Sequence, residues 1–248
     1  MDRPLASLAG KTVAIVGGAS GIGFAVATAA DAAGARVVLM GRHPERLNEA
    51  AQKIDTDTLV RVVDARRPDM LADVMAGLGQ IDHLVTTTSV SATRLNVNQP
   101  IASVVPAAAQ EFFAGKFWSQ YWTAQAALPF LSRGGSIVFT SGAAARKSLP
   151  NHTVVAANNA AIEAMARQLA REAAPIRVNV VSPGLTATRA YDHLSPDDRE
   201  QFFQHVTGRL PIPRVAQPDE IAQAYIFALT ATYMTGMIID MDGGLLVS

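Results

Sequence analysis

Short apolar runs alternate along this chain with longer segments of helical spacing. Val13-Ala14-Ile15-Val16 is continuous and apolar, as is Val37-Val38-Leu39-Met40 within a run from Arg36. Comparable runs fall at Thr58 to Val63, Ile81 to Thr86, Ser136 to Thr140 and Ile176 to Val181, and a last one lies within Thr235 to Gly244. Runs of this length without polar alternation predict strands buried on both faces. Between them the spacing turns helical. An Ala-rich segment runs to Ala30, and Pro44 opens a segment with Leu47, Ala50, Ala51 and Ile54 on one face. Further helices are predicted over 68–78, Gln110 to Leu131 and Asn151 to Ala174, then from Ser195-Pro196-Asp197-Asp198 and from Pro218-Asp219-Glu220. Residues 90–110, with Pro100 and Pro106, read as irregular.

Strand and helix alternate with crossovers long enough for parallel pairing, and right-handed crossovers dictate a doubly wound sheet with its ligand crevice at the strand C-termini. The expectation is an α/β fold in a single domain, 1–248: a Rossmann-type parallel sheet of about seven strands, with helices on both faces. No linker, low-complexity tract or repeat interrupts it.

Thr12 to Ala30, TVAIVGGASGIGFAVATAA, carries the first chemistry. A strand breaks into Gly17-Gly18-Ala19-Ser20-Gly21-Ile22-Gly23 and a helix follows at once. Free backbone N–H groups and the positive helix end converge there on a phosphate site. Gly17 serves the tight turn, Gly21 the approach of a pyrophosphate, and Gly23 close helix–strand packing. The second strand ends at Gly41-Arg42, where such folds meet the adenosine ribose. No carboxylate stands there to repel a 2′-phosphate. Arg42, with Ser20 as a possible partner, favours NADP(H) over NAD(H), unless it is only a solvated loop charge.

Composition narrows the classes. The 248 residues are 49% hydrophobic and carry 21 residues of each charge, giving no electrostatic case for nucleic acid or an anionic membrane. There are no cysteines, which excludes disulfides and thiolate chemistry. The five histidines are isolated, so no metal site is expected. Asp2 near the start and the lack of a long apolar run argue against a signal peptide or membrane span; the expected location is cytoplasmic.

The G-x-x-x-G-x-G spacing resembles that of the short-chain dehydrogenase/reductase family, with Val16 where Thr is usual. The resemblance continues through Ser182-Pro183-Gly184-Leu185-Thr186-Ala187-Thr188 to Asp240-Met241-Asp242-Gly243-Gly244, covering about residues 10 to 245. It implies that Gly17, Ser20, Gly21, Ile22 and Gly23 hold the pyrophosphate, that Asp64 beside Ala65 meets the adenine amino group, and that Pro183, Gly184, Thr186 and Thr188 hold the nicotinamide half. Thr86-Thr87-Thr88-Ser89 stands where the family has Asn-Asn-Ala-Gly, so Thr87 and Thr88 are the expected cofactor wall. Segment 186–215 is expected as a substrate lid. Phe112, Phe113, Phe117, Trp118, Tyr121 and Trp122 form an aromatic belt read as core and subunit interface, which implies a homo-oligomer, a tetramer or dimer.

The family's proton relay is an Asn, Ser, Tyr, Lys tetrad. In register, Val155 falls at Tyr, Asn159 at Lys and Lys116 at Asn; Gly142 falls at Ser, with Ser141 one residue away. Lys116, Ser141, Asn159 and His152 are therefore the candidate catalytic residues, with Tyr191 and His193 of the lid behind them. Three readings stay open: an NADP(H)-dependent oxidoreductase on a small carbonyl or alcohol with a rebuilt relay, an inactive NADP-binding sensor or scaffold, and a lyase or isomerase on the same fold.

Overall fold

The computed structural model describes residues 7–54 and 57–248; Asp2 lies outside them. Seven strands form one parallel sheet: β1 (Thr12–Val16), β2 (Arg36–Gly41), β3 (Leu59–Val62), β4 (Ile81–Thr86), β5 (Leu131–Thr140), β6 (Arg177–Pro183) and β7 (Ile238–Met241). Their order is β3-β2-β1-β4-β5-β6-β7, so the chain reverses direction across the sheet between β1 and β4. The crevice of a doubly wound sheet opens at that reversal.

Among the described residues eight α-helices accompany it: α1 (Gly21–Ala32), α2 (Pro44–Ala51), α3 (Pro68–Leu78), α4 (Pro106–Phe113), α5 (Ser119–Ala127), α6 (Thr153–Glu172), α7 (Pro196–Thr207) and α8 (Pro218–Thr230). Period-two alternation sends each strand into two cores. Val13 and Ile15 of β1 pack with Val26 of α1 and Tyr225 of α8. Ala14 and Val16 pack on the other face with Leu71 of α3 and Ile162 of α6. Burial on both faces is why these strands read as unbroken apolar runs. No helix among the described residues is long and apolar enough to cross a membrane.

One predicted element is corrected. The helix expected from Gln110 to Leu131 begins earlier, at Pro106, and is not continuous. A π-helical turn, Ala114–Trp118, separates α4 from α5, and a 3-10 turn at Leu128–Phe130 ends it. Pro106 sits in the first turn of α4, where its missing N–H costs nothing. Leu131 is the first residue of β5, which starts five residues ahead of Ser136. Gly135 allows this early pairing: a Cβ there would stand 2.2 Å from the Asp82 carbonyl of β4.

At the N-terminal half of β4, His83 is buried and its Nδ1 shares a hydrogen bond of 2.9 Å with Ser136 Oγ. Burial holds its pKa down to about 4, with the Arg177 charge adding to the effect. The folded chain thus resists a proton that the unfolded chain accepts near pH 6.5, so this contribution is intact above that pH and is lost as pH falls towards 4. At pH 5 the loss is about 2 kcal/mol. Urea unfolding of His83→Gln, which retains a partner for Ser136, should show a fall in stability from pH 7 to 5 that is smaller by about that amount. Equal falls in both proteins would remove His83 as the cause.

Candidate active site

The glycine turn between β1 and α1 opens a cleft of about 940 Å³ along the C-terminal ends of the strands. Gly17, Ser20, Gly21, Ile22 and Gly23 form one wall. Ser20, extended at φ −166°, precedes α1 without capping it, and no acidic side chain occupies the first turn. The first N–H groups of the helix thus lack a side-chain acceptor, which is the condition for anion binding at a helix start. Gly17 adopts φ +91°, and a Cβ on Gly23 would lie 2.2 Å from the Gly17 carbonyl oxygen. Thr87 closes the turn from β4: its backbone N–H and hydroxyl both donate to the Val16 carbonyl, at 2.9 and 3.2 Å.

At one end of the cleft lie Arg42, Arg46, Asp64, Ala65 and Arg66. Ser20 and Arg42 line it without a hydrogen bond to each other. Arg66 donates to Asp64 at 2.6 Å and to Glu111 at 3.0 Å. The hydrogen bond from the Arg66 guanidinium holds the Asp64 carboxyl below its ordinary pKa, so it remains an acceptor. Neither Arg42 nor Arg46 has a carboxylate partner among the described residues. Arg46 was not singled out from the sequence; it lies one turn beyond Arg42, on α2.

At the other end Pro183 closes β6, and Gly184, Thr186 and Thr188 follow it. A Cβ on Gly184 would meet the Asp242 backbone at 2.8 Å, so the Pro-Gly turn passes directly against the Asp-Gly-Gly turn after β7. The Thr188 hydroxyl accepts from the Ala190 N–H at 3.4 Å. Thr88 lies on the same cleft, its hydroxyl 2.8 Å from that of Ser119.

Lys116 reaches this cleft from the π-helical turn. It shares the inward stripe Phe112, Lys116, Gln120, spaced by four, and is only 7% exposed. Its Nζ donates to the Ser141 carbonyl at 2.9 Å, its one partner among the described residues. Burial without a counter-charge lowers its pKa to about 8. Gln120, also unflagged by the sequence, ties β4 to β5 beneath it: it accepts from the Thr86 hydroxyl and the Thr140 N–H and donates to the Thr140 carbonyl.

The other catalytic candidates are disposed differently. Ser141 borders the cleft, but its hydroxyl donates to Glu163 of α6 at 3.0 Å. Glu163 in turn pairs with Arg146 at 3.2 Å, and Arg146 also pairs with Asp240. Asn159 is buried beside Gly142, where a Cβ would stand 2.9 Å from its Nδ2, and its Oδ1 finds no partner among the described residues. His152 precedes α6 with its Nδ1 2.6 Å from the Pro150 carbonyl, and neither it nor Asn159 borders the cleft. Tyr191 and His193 do border it. Among the described residues no group of His, Asp and Glu could hold a metal ion.

A family model described as enoyl-(acyl carrier protein) reductase matches residues 17–246. The short-chain dehydrogenase/reductase ATR9 of Stachybotrys chlorohalonatus is 29% identical, over 96% of this chain and 98% of its own length. The chain belongs to the short-chain dehydrogenase/reductase family. The family's solved structures agree with the fold. A crystal structure of a small-chain dehydrogenase in complex with NADPH is 34% identical, covering 96% of this chain and 99% of its own, with a TM-score of 0.78. The MalC reductase/Diels-Alderase of Malbranchea aurantiaca is 27% identical, covers 99% and 100%, and has a TM-score of 0.86. The seven-stranded parallel sheet expected from the alternation of strand and helix is the one observed.

Proposed function

We propose that this family member is an NADP(H)-dependent oxidoreductase acting on a small carbonyl or alcohol, with its acid–base apparatus rebuilt around Lys116. The observation that carries the reading is a buried ammonium on the wall of a cleft that begins at an uncapped glycine turn. The dinucleotide would lie along the cleft, with its pyrophosphate at Gly21 to Gly23 and its adenosine near Asp64. Arg42 and Arg46 would face a 2′-phosphate. When bound, the nicotinamide supplies the hydride.

Hydride delivery to a carbonyl carbon leaves an alkoxide that needs a proton or a positive charge beside it. In this register Val155 and Asn159 replace the family's Tyr and Lys, and Gly142 replaces its Ser. Asn159 filling the space beside Gly142 is consistent with that replacement. Lys116 then donates the proton, while the Ser141 carbonyl orients the ammonium. Residues 186–215 act as the lid. Their ends meet at a neck where Ala187 N–H donates to Ala216 and Ala216 N–H to Leu185, at 2.9 and 3.0 Å. The chain works as a homo-oligomer, a reading supported by Trp118 and Tyr121, which stay 42% and 37% exposed on the aromatic belt.

Calorimetry should find NADPH bound at least about tenfold more tightly than NADH, as a charge-assisted contact to the 2′-phosphate would give. NADPH oxidation is expected with at least one member of a panel of small aldehydes and ketones, and light scattering should give a mass well above the 26.2 kDa chain. Tight NADPH binding without turnover on any carbonyl would favour the sensor or scaffold reading instead. The MalC neighbour, described as both reductase and Diels-Alderase, keeps a non-redox activity on this fold within view.

A further inference from the structure

The chain has four lysines: Lys11, Lys53, Lys116 and Lys147. Three are ordinary. Lys11 pairs with Asp82, Lys147 donates to the Ser248 carbonyl, and Lys53 is exposed. Lys116 is set apart by its burial and its place on the cleft. Its one acceptor among the described residues is a neutral carbonyl oxygen.

The kind of acceptor decides the chemistry. A carboxylate would hold the third proton on the nitrogen by charge. A backbone carbonyl accepts from a neutral amine as well as from an ammonium, so Ser141 can keep Lys116 in place after deprotonation. One N–H then points to Ser141 and the nitrogen lone pair becomes available. Burial without a counter-charge pushes the group the same way, to a pKa of about 8.

We propose that Lys116 is a covalent site for small aldehydes and ketones, forming an imine with them. The amine nitrogen bonds to the carbonyl carbon, and the proton it releases passes to the former carbonyl oxygen. That oxygen then leaves as one water, taking the second N–H proton of the amine, and the C=N bond remains. No oxidant or reductant is consumed. Once protonated, the imine draws electrons from an adjacent C–H or C–C bond, the property a lyase or isomerase requires. Hydride from a reduced nucleotide would convert the imine to a stable secondary amine, so this activity belongs to the nucleotide-free or oxidised form. The inference shares with the oxidoreductase reading only the access of Lys116 to the cleft.

The test is reductive trapping. Nucleotide-free protein is incubated at pH 7 with propanal and cyanoborohydride, and alkylation of each lysine is followed by peptide mass spectrometry. Lys116 is expected to react at least about tenfold faster than exposed Lys53, because more of it is unprotonated at this pH. That advantage should vanish in urea-unfolded chain. Alkylation of Lys116 no faster than Lys53 overturns the proposal. Since the lysines of the unaltered protein are compared with one another, no variant has to fold. The two readings separate cleanly: trapping without NADPH turnover sinks the oxidoreductase, and turnover without trapping sinks the imine.

Discussion

Lys116→Met is expected to lower kcat/KM for NADPH-dependent carbonyl reduction by at least about 100-fold, the usual effect of removing a positioned proton donor. Methionine keeps a flexible unbranched stem in the space between Phe112 and Gln120, so packing is largely preserved. It removes the charge whose burial is uncompensated, so thermal stability should hold or rise. NADPH affinity should change by less than about threefold, because transition-state contacts are lost while ground-state binding is not. The unaltered protein adds a signature. The donor is the protonated form, and its pKa is held down to about 8. Its kcat/KM should therefore fall by about tenfold per pH unit above pH 8, and the variant's residual activity should lack that inflection. Full activity in Lys116→Met would move the chemistry elsewhere in the cleft.

Gly23→Ala should be the most damaging single methyl group in the cofactor half. The new Cβ would sit 2.2 Å from the Gly17 carbonyl oxygen and 2.5 Å from Thr87 Oγ1. Backbone stands on one side and a side chain hydrogen-bonded to the Val16 carbonyl on the other, so α1 must back away from the glycine turn. Overpacking of this kind costs about 3 kcal/mol or more. In a chain of this length that lowers Tm by about 6 °C or more. NADPH binding should vanish with it, because the helix N–H groups no longer aim at the turn. Gly77→Ala in α3 is the control: its Cβ meets nothing within 4 Å, and helix propensity favours alanine. A scan showing Gly23→Ala as stable as Gly77→Ala would refute the close-packing argument.

Much of this was legible in the chain alone, because it is encoded locally. The apolar runs from Val13, Val37 and Ile81 each became a strand buried on both faces. The crossover rule then left little freedom in their order. The glycine turn was legible because conformational freedom and close approach leave a residue type that nothing else imitates. The π-helical turn at Ala114–Trp118 was not legible. Phe112 to Trp122 suits an unbroken helix by propensity, and the widened turn shows only in the backbone geometry. Nor was the early start of β5, where Ser132-Arg133-Gly134-Gly135 is polar and glycine-rich, and where the close approach to Asp82 sets the path.

The same division runs through the candidate site. Counting residues brought Lys116 and Asn159 into question together, but counting does not say which way a side chain turns. Ser141, one residue from the register position, sends its hydroxyl to Glu163 and offers Lys116 its carbonyl instead. His152, three residues before Val155, lies away from the cleft with its ring against Pro150. Arg46 joins the cleft because α2 folds back beside β2. By itself the sequence determined the family, the sheet and the glycine turn, since periodicity and backbone permissiveness are properties of neighbouring residues. Only the tertiary structure decided which polar atoms converge and which buried charge goes without a counter-ion. Those outcomes depend on contacts between segments tens of residues apart, as between Lys116 and Ser141.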